Sequence, residues 1–256
     1  MESALQWLEE QVDVSDIALF LDFDGTLAPI VERPDDARPL DGVAGLVERL
    51  AAALPVAVIS GRGLDDVSRR LGARGIYYSG SHGMEIQDPD GERDHSEELE
   101  ELLPALDHAE GVLREQFEGT SGVEIERKRF GVAVHFRRRP EAGEDVTRAV
   151  EDIASDTSGL TWSTGKMVRE VQPDVELDKG TALRSIWERI NANGARRPMY
   201  IGDDRTDEDA FEEIRDTGIG ILVAGEPRST AGRLRLSDPQ NVREFLGRFA
   251  EKLDVE

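Results

Sequence analysis

Two aspartates, Asp22 and Asp24, come directly after an apolar run in the stretch FLDFDGTLAPI, and Gly25 and Thr26 follow them. A turn would explain Asp and Gly here, but a plain turn gains nothing from two carboxylates that repel each other. A divalent cation removes that repulsion, because Mg²⁺ takes carboxylate and carbonyl oxygens and often shares its coordination with a substrate phosphate. The pair therefore predicts a magnesium site with phosphate chemistry.

Further aspartates follow another apolar run, in the stretch YIGDDRTDEDAF. Asp207 is expected to open the next helix, a position where aspartate is common and needs no further explanation. Asp203 and Asp204 instead end a predicted buried strand, so they are the stronger candidates for a second acidic contribution to the metal site.

A serine turn and a lysine supply groups that could hold an anion. The stretch ISGRG offers Ser60 and the backbone amides around Gly61 and Arg62, which we expect to contact the substrate. Lys179 begins a predicted helix, where the helix dipole favours an anion and not a lysine. Either Lys179 balances phosphate or carboxylate charge, or it is a surface lysine whose stem lies along apolar groups.

The elements that must position these residues alternate along the chain. Short apolar runs rich in Val and Ile predict buried parallel strands at 16–22, 55–60, 75–79, 198–203 and 218–224. Helical patterns follow at 41–53, 64–71, 179–193, 207–215 and 239–252. Alternating strands and helices predict a doubly wound α/β core, in which ligands bind at the carboxyl ends of the strands. The polar motifs all fall there.

The middle of the chain breaks this rhythm. A helix over 97–117, two strands within 121–139, a helix over 143–156 and two strands within 160–173 predict an αββαββ unit. We expect an α+β cap over 104–173, inserted into a catalytic core formed by 1–103 and 174–256.

The cap strands are expected to have two different faces. In the first of them Glu126 and Lys128 share one face, and Val123 and Ile125 share the other. Residues 127–139 contain six arginines and lysines and no acid, a local basic field that could attract an anionic substrate. An ordinary solvated sheet face is the alternative explanation.

Four motifs, DFDGT, SGR, DKG and GDD, occur in this order at suitable distances. Through these four motifs the sequence resembles the haloacid dehalogenase-like phosphatases over nearly its whole length. The resemblance implies that Asp22 is a nucleophile forming an aspartyl-phosphate, and that Asp24 protonates the leaving oxygen and then activates water. It also implies that Ser60 and Lys179 bind the transferring phosphoryl group.

The same resemblance implies the metal ligands and the cofactor. Asp22, the carbonyl of Asp24 and Asp203 would hold Mg²⁺, with Asp204 and Asp207 as further candidates.

The cap motifs narrow the resemblance to the trehalose-6-phosphate phosphatase family, through GSHGMEI, ERKRFGVAVHFR and REVQPDVELDKGTAL. This family resemblance implies hydrolysis of a small sugar phosphate. It also implies that sugar hydroxyls are bound by Glu126, Lys128 and Glu170, and that these residues are supported by His135 and Arg137. Gln172 departs from the family, which usually has a basic residue there. His82 is also expected at the substrate site, where it either orients Glu85 or stabilises its turn.

Composition limits the partners that we expect. There are 54 acidic and 31 basic residues, a net charge of −23, and such a surface repels nucleic acid and anionic membranes. The chain has no cysteine, and its start lacks a basic segment followed by an apolar one, so we expect a cytoplasmic protein. Acidic excess with few lysines suggests adaptation to high salt. We expect a monomer.

Other functions use similar residues. Phosphatases of sucrose 6-phosphate or mannosyl-3-phosphoglycerate share such a core and cap, and a hexose-phosphate mutase is a more distant alternative. A phosphoacceptor receiver domain is about half this length. A non-catalytic sugar-phosphate sensor would be expected to lack Asp22 or Asp24, and both are present.

Overall fold

The computed structural model describes residues 2–11, 13–95, 97–191, 194 and 196–253. The described residues up to Asp94 and from Leu177 onward form one compact unit, the core unit, and His95–Glu176 form a second, the cap unit. The compact cap unit therefore begins before residue 104 and ends after residue 173, the two limits predicted for the inserted cap. The functional domain limits stay a prediction.

The elements follow each other in the alternating order that the sequence predicts. The described strands are β1 Glu2–Ser3, β2 Ile17–Leu21, β3 Val56–Ile59, β4 Tyr77–Gly80, β5 Glu85–Gln87, β6 Arg93–Asp94, β7 Glu124–Lys128, β8 Gly131–His135, β9 Leu160–Gly165, β10 Val168–Pro173, β11 Arg197–Gly202, β12 Ile219–Val223 and β13 Leu234–Leu236. The described α-helices are α1 Ala4–Glu10, α2 Val43–Ala51, α3 Leu64–Leu71, α4 Glu97–Glu101, α5 Leu103–Gln116, α6 Gly143–Asp156, α7 Lys179–Ile190, α8 Asp207–Glu213 and α9 Pro239–Lys252.

The core unit contains one sheet in the order β1-β13-β12-β11-β2-β3-β4-β5-β6. The strands from β1 to β4 in this order pair in parallel, and β5 and β6 extend the edge in antiparallel fashion. Strand β2 is central, with Phe20 opposite Tyr200 of β11 and Ala57 of β3. The carboxyl ends of β11, β2 and β3 therefore meet at one edge of the sheet, and the predicted doubly wound α/β core is confirmed.

Helices cover both faces of this sheet. One apolar cluster joins β2 and its neighbours to α2 and α9 through residues such as Val47 and Phe245, which are fully buried. A second cluster on the opposite face joins the sheet to α7 and α8 through Leu183 and Phe211. All residues of β2 are buried, which is why its sequence is a continuous apolar run and not an alternating one.

Some of the short strands could not be predicted from the pattern of apolar residues. Strands β1, β5, β6 and β13 have two or three residues each, too few to produce a period. Helix α7 ends at Ile190, where the pattern predicted a helix to 193; residues 192 and 193 lie outside the described residues.

The cap unit contains an antiparallel sheet in the order β7-β8-β10-β9. Its apolar face packs on α5 and α6 through residues such as Leu113 and Val146, and the predicted αββαββ order is confirmed. The single helix predicted over 97–117 is divided into α4 and α5, with Pro104 in the first turn of α5. Proline favours a first turn because it lacks the N–H that an interior position would use.

Among the residues described here, no helix combines the length and the apolar character needed to cross a membrane.

Candidate active site

Asp22 lies at the end of the central strand and is almost completely buried, with 3% of its surface exposed. Its backbone N–H donates to the carbonyl of Ile201 at 2.9 Å, which continues the pairing of β2 with β11 by one residue. Burial raises the pKa of the Asp22 carboxyl well above its usual value, Lys179 opposes that shift, and neighbouring Asp207 and Asp203 add to it. A buried carboxylate at a strand end is thus the centre of this site.

Lys179 is the buried cation beside it. Its Nζ donates to Asp22 Oδ1 and to Asp207 Oδ1, each at 2.7 Å. Burial alone lowers the pKa of Lys179, but the two carboxylates raise it above its usual value, so the ammonium stays charged. Asp178 caps α7 by accepting from the backbone N–H of Thr181 at 2.7 Å, and this fixes the helix start that carries the lysine. Lys179 is therefore a charge partner and not a surface lysine.

Asp207 is fully buried at the first residue of α8 and uses both of its oxygens. Oδ1 accepts from Lys179 and from the hydroxyl of Tyr200, the latter at 2.6 Å, and Oδ2 accepts from the backbone N–H of Asp204 at 2.8 Å. Asp207 thus links α8, β11 and Lys179 in one hydrogen-bonded group.

Asp22, Asp203 and Asp207 form a group that could hold a metal ion, since each offers a carboxylate oxygen within 4.8 Å of the others. Two buried oxygens, Asp22 Oδ2 and Asp203 Oδ1, have no hydrogen-bond partner among the described residues. Burial, together with Asp207, raises the pKa of Asp203 to about 7. A hard divalent cation fits this donor set, because it would satisfy the two orphaned oxygens and offset the repulsion among the carboxylates.

The glycine of the DFDGT motif leaves room for this group. A Cβ on Gly25 would lie 2.0 Å from Asp203 Oδ2, and its φ of +85° is one that side chains rarely adopt. The side chain of Asp204 is exposed and lies outside the three-carboxylate group, as does that of Asp24. The sequence had proposed the backbone carbonyl of Asp24, and not its side chain, as a ligand.

Asp24 and Arg62 form a two-point ion pair. Arg62 Nε donates to Asp24 Oδ2 at 2.6 Å and Arg62 Nη2 donates to Asp24 Oδ1 at 2.7 Å. Arg62 Nη1 donates to Asp66 Oδ2 at 3.0 Å, and the guanidinium lies 5.7 Å from the centre of the Phe23 ring. The residue predicted to contact the substrate is thus bound to the predicted acid–base residue.

Ser60 is buried at the end of β3, the neighbour of β2 in the sheet. Its hydroxyl oxygen accepts from the backbone N–H of Arg62 at 3.1 Å, and its carbonyl accepts from the N–H of His82 at 3.1 Å. His82 has a φ of 56°, and a Cβ on Gly61 would lie 2.6 Å from its Nε2. The imidazole therefore packs against the SGR turn, where only glycine leaves space for it.

The predicted sugar residues lie on the polar face of the cap sheet. Glu126 and Glu170 both face Ala133 in the strand register. Lys128 Nζ donates to Glu170 Oε2 at 2.7 Å, and His135 Nε2 lies 2.8 Å from Glu126 Oε2.

Three more residues belong to the strands of this sheet or to the turn after β8. Gly131 makes space for Glu170, since a Cβ there would lie 2.5 Å from Oε1. Gln172 accepts from Ser163 Oγ at 3.3 Å, and Arg137, beyond the end of β8, is exposed.

Tyr200 and Arg228 are the contributors that sequence reasoning missed. Tyr200 stands within an apolar strand, where a tyrosine indicates core packing. Arg228 Nη2 donates to the carbonyls of Asp203 and Asp204, at 3.1 Å and 2.8 Å, from a stretch without a motif. No local signal marks either residue.

A central strand ending in a carboxylate cluster, within a doubly wound sheet that carries an inserted α+β unit, is the arrangement of the haloacid dehalogenase-like fold class. A haloacid dehalogenase-like hydrolase from Bacteroides thetaiotaomicron has the same fold, with a TM-score of 0.63 and 15% identity over 91% of this chain and 99% of its own. Within this class the chain belongs to the trehalose-phosphatase family, whose model matches residues 20–240.

Two further comparisons agree with this family. A trehalose-phosphate phosphatase from Mycobacterium marinum is 43% identical over 243 residues, which cover 93% of this chain and 62% of that protein. The chain thus spans less than two thirds of the length of this curated relative. A crystal structure of a trehalose-6-phosphate phosphatase related protein has a TM-score of 0.76 at 25% identity, over 91% of this chain and 97% of that one.

Proposed function

We propose that this chain hydrolyses trehalose 6-phosphate to trehalose and inorganic phosphate, with Asp22 as the nucleophile and Mg²⁺ as its metal. The observation that carries the proposal is the different environment of the two oxygens of the Asp22 carboxylate. Oδ1 is held by the Lys179 ammonium at 2.7 Å, while the buried Oδ2 has no hydrogen-bond partner among the described residues. Membership of the trehalose-phosphatase family supports the choice of substrate.

The reaction proceeds in two displacements at phosphorus. An oxygen of Asp22 forms a bond to phosphorus as the bond from phosphorus to the sugar oxygen breaks, and Asp24 gives its proton to that leaving oxygen. Water then attacks the aspartyl-phosphate and gives a proton to Asp24, which releases phosphate and restores the Asp22 carboxylate. Lys179 balances the negative charge in both steps.

Asp22, Asp203 and the backbone carbonyl of Asp24 would hold the metal, and Asp207 lies in the same carboxylate group. When bound, a divalent cation neutralises carboxylate charge and polarises the oxygens of the phosphoryl group. The orphaned oxygens of Asp22 and Asp203 support this assignment.

Arg62 controls the state in which Asp24 can act. Both oxygens of Asp24 accept hydrogen bonds from the guanidinium, so at least one of these bonds is given up when Asp24 carries a proton to the leaving oxygen. The other bond would keep the Asp24 carboxyl group oriented, because a planar guanidinium holds a carboxyl group at two points.

The cap unit would supply recognition of the sugar. We assign hydroxyl contacts to Glu126, Lys128 and Glu170, supported by His135 and Arg137. The Lys128–Glu170 ion pair and the hydrogen bond between His135 and Glu126 hold these groups on one face of the cap sheet. Charged groups already fixed by each other lose little conformational entropy when a hydroxyl binds.

The net charge of −23 supports two further proposals about this protein. It would work at raised salt, and it would have no nucleic acid partner. A monomer in the cytoplasm is the state that we assign to it.

The test is phosphate release from a panel of sugar phosphates that contains trehalose 6-phosphate, sucrose 6-phosphate and mannosyl-3-phosphoglycerate. Each is assayed with Mg²⁺ and after EDTA, with Asp22→Asn as the matched inactive variant. We expect the highest kcat/KM for trehalose 6-phosphate, dependence on Mg²⁺, and no turnover by the variant. A higher kcat/KM for another member of the panel would overturn the substrate while leaving the phosphatase assignment in place.

A further inference from the structure

Tyr200 is a fully buried tyrosine of β11 whose hydroxyl points to the acidic group. Its ring contacts Phe211 edge to face, with centroids 5.7 Å apart, so the ring itself is ordinary core. The hydroxyl donates to Asp207 Oδ1 at 2.6 Å.

The oxygen that Tyr200 contacts is the same one that accepts from Lys179. Asp207 Oδ1 therefore has two donors, and the backbone N–H of Asp204 occupies Oδ2, so the carboxylate is held from three directions. Lys179 in turn holds Asp22 Oδ1. A continuous chain of hydrogen bonds runs from the Tyr200 hydroxyl through Asp207 and Lys179 to Asp22.

A purely structural role would not need this hydroxyl. Phenylalanine fills nearly the same volume, and burial of a hydroxyl is unfavourable unless it is paired. The other buried tyrosine of this sheet, Tyr78 in β4, donates instead to the backbone carbonyl of Ala73 at 2.7 Å. The two tyrosines thus use the same chemistry, one on the backbone and the other on a side chain of the candidate active site.

We propose that Tyr200 is a positioning residue for the displacement at phosphorus. By fixing Asp207, its hydroxyl fixes the direction of the Lys179 ammonium, which then holds Asp22 Oδ1 and orients the Asp22 carboxylate. The inference rests on the proposed function, because it assigns Asp22 as the attacking group. Removal of the hydroxyl loosens Lys179 without emptying the substrate site, so the effect falls on kcat and not on KM.

The experiment compares Tyr200→Phe with Tyr78→Phe, which also deletes one buried phenol hydroxyl from the same sheet. We expect Tyr200→Phe to lower kcat and the single-turnover rate of aspartyl-phosphate formation about 10-fold, with KM changed less than about 2-fold. Tyr78→Phe should leave all of these unchanged. Thermal melting of both variants measures their folding, and equal kinetics in the two variants would overturn the proposal.

A double-mutant cycle separates positioning from a general loss of stability. In a Lys179→Ala background, Tyr200→Phe should have little further effect on kcat, because its action passes through Lys179. A full 10-fold loss in that background would reject the proposed chain.

Assays on both trehalose 6-phosphate and p-nitrophenyl phosphate distinguish this inference from the proposed function. If the wild type turns over only the aryl phosphate, the sugar assignment fails while the Tyr200 comparison still decides the inference. If the wild type turns over neither compound, the proposed function is wrong and this inference falls with it.

Discussion

Arg62 binds both oxygens of Asp24, through Nε at 2.6 Å and Nη2 at 2.7 Å. Arg62 is itself held by Asp66, which also pairs with Arg69 and Arg70 of the same helix. The candidate proton donor is therefore oriented by a network that reaches the surface through α3. Such two-point geometry depends on the planar guanidinium, and a lysine at this position cannot reproduce it.

Arg62→Lys should lower kcat on trehalose 6-phosphate about 10-fold, because Asp24 loses its fixed orientation. Formation of the phosphoenzyme from p-nitrophenyl phosphate should fall much less, since that leaving group needs no proton. Arg69→Lys is the matched control, as it contacts Asp66 but not Asp24. Equal losses on the two substrates would show that Arg62 does not act through Asp24.

Asp24→Asn should accumulate aspartyl-phosphate from p-nitrophenyl phosphate, because its formation needs no general acid while its hydrolysis still needs a base. Asp22→Asn should form none. Rapid-quench measurement of the acid-stable protein-bound phosphate checks both variants. Brisk dephosphorylation of Asp24→Asn would contradict the role of Asp24 as the base.

Without metal, the stability of the wild type should fall as the pH rises from about 4 to about 7. The pKa of Asp203 is raised from 3.8 to about 7, so the folded state binds more protons than the unfolded state across this interval. The stabilisation from that proton is complete at low pH and is lost as the pH passes through the folded pKa. Mg²⁺ should restore the melting temperature at the higher pH.

Asp203→Asn is the variant that tests this assignment. It should flatten the loss of stability between these two pH values and should reduce the stabilisation by Mg²⁺. Calorimetric melts with EDTA or Mg²⁺ measure both effects. If stability depends on pH in the same way in the wild type and in Asp203→Asn, the titrating group is a residue other than Asp203.

Glu170→Ala should lower kcat/KM on trehalose 6-phosphate about 10- to 100-fold, since a hydrogen bond to a charged group contributes roughly 1.5–3 kcal/mol. Hydrolysis of p-nitrophenyl phosphate should be nearly unchanged. Gly131→Ala should act in the same direction, because a Cβ would lie 2.5 Å from Glu170 Oε1 and displace it.

Exposed Glu151 of α6, the helix that packs on the apolar face of the cap sheet, provides a control, and Glu151→Ala should leave both substrates unaffected. An unchanged ratio of the two activities in Glu170→Ala would remove the sugar-binding role of this face.

Added potassium chloride should raise the melting temperature of the wild type, because screening weakens repulsion within a chain of net charge −23. A melting temperature that is insensitive to the salt would contradict adaptation to high salt.

The sequence predicted where the candidate catalytic groups converge but not how they bind each other. Parallel strands bring their carboxyl ends to one edge, so Asp22, Ser60 and Asp203 could be grouped from apolar runs and motifs alone. The bond from Tyr200 to Asp207 depends on strand register and on the exact start of α8, and neither has a local signal.

The cap illustrates the same limit. Alternation within each strand separated Glu126 and Lys128 from their apolar neighbours, and the face of Glu170 followed from the same rule. The pairing of Lys128 with Glu170, 42 residues away, arises from the order β7-β8-β10-β9. Strand order is a tertiary property, which a period of two residues does not encode.

The central place of β2 has a consequence for biosynthesis. Strand β2 ends at Leu21, yet one of its two neighbours, β11, begins only at Arg197. Until that segment has been translated, a nascent chain exposes an apolar strand with one unpaired edge, a template for unwanted association. Asp22 and Lys179, which are 157 residues apart, can meet only after the segment between them has been translated. The ion pair of Asp22 with Lys179 therefore forms only after a long interval of translation in which one edge of β2 stays unpaired.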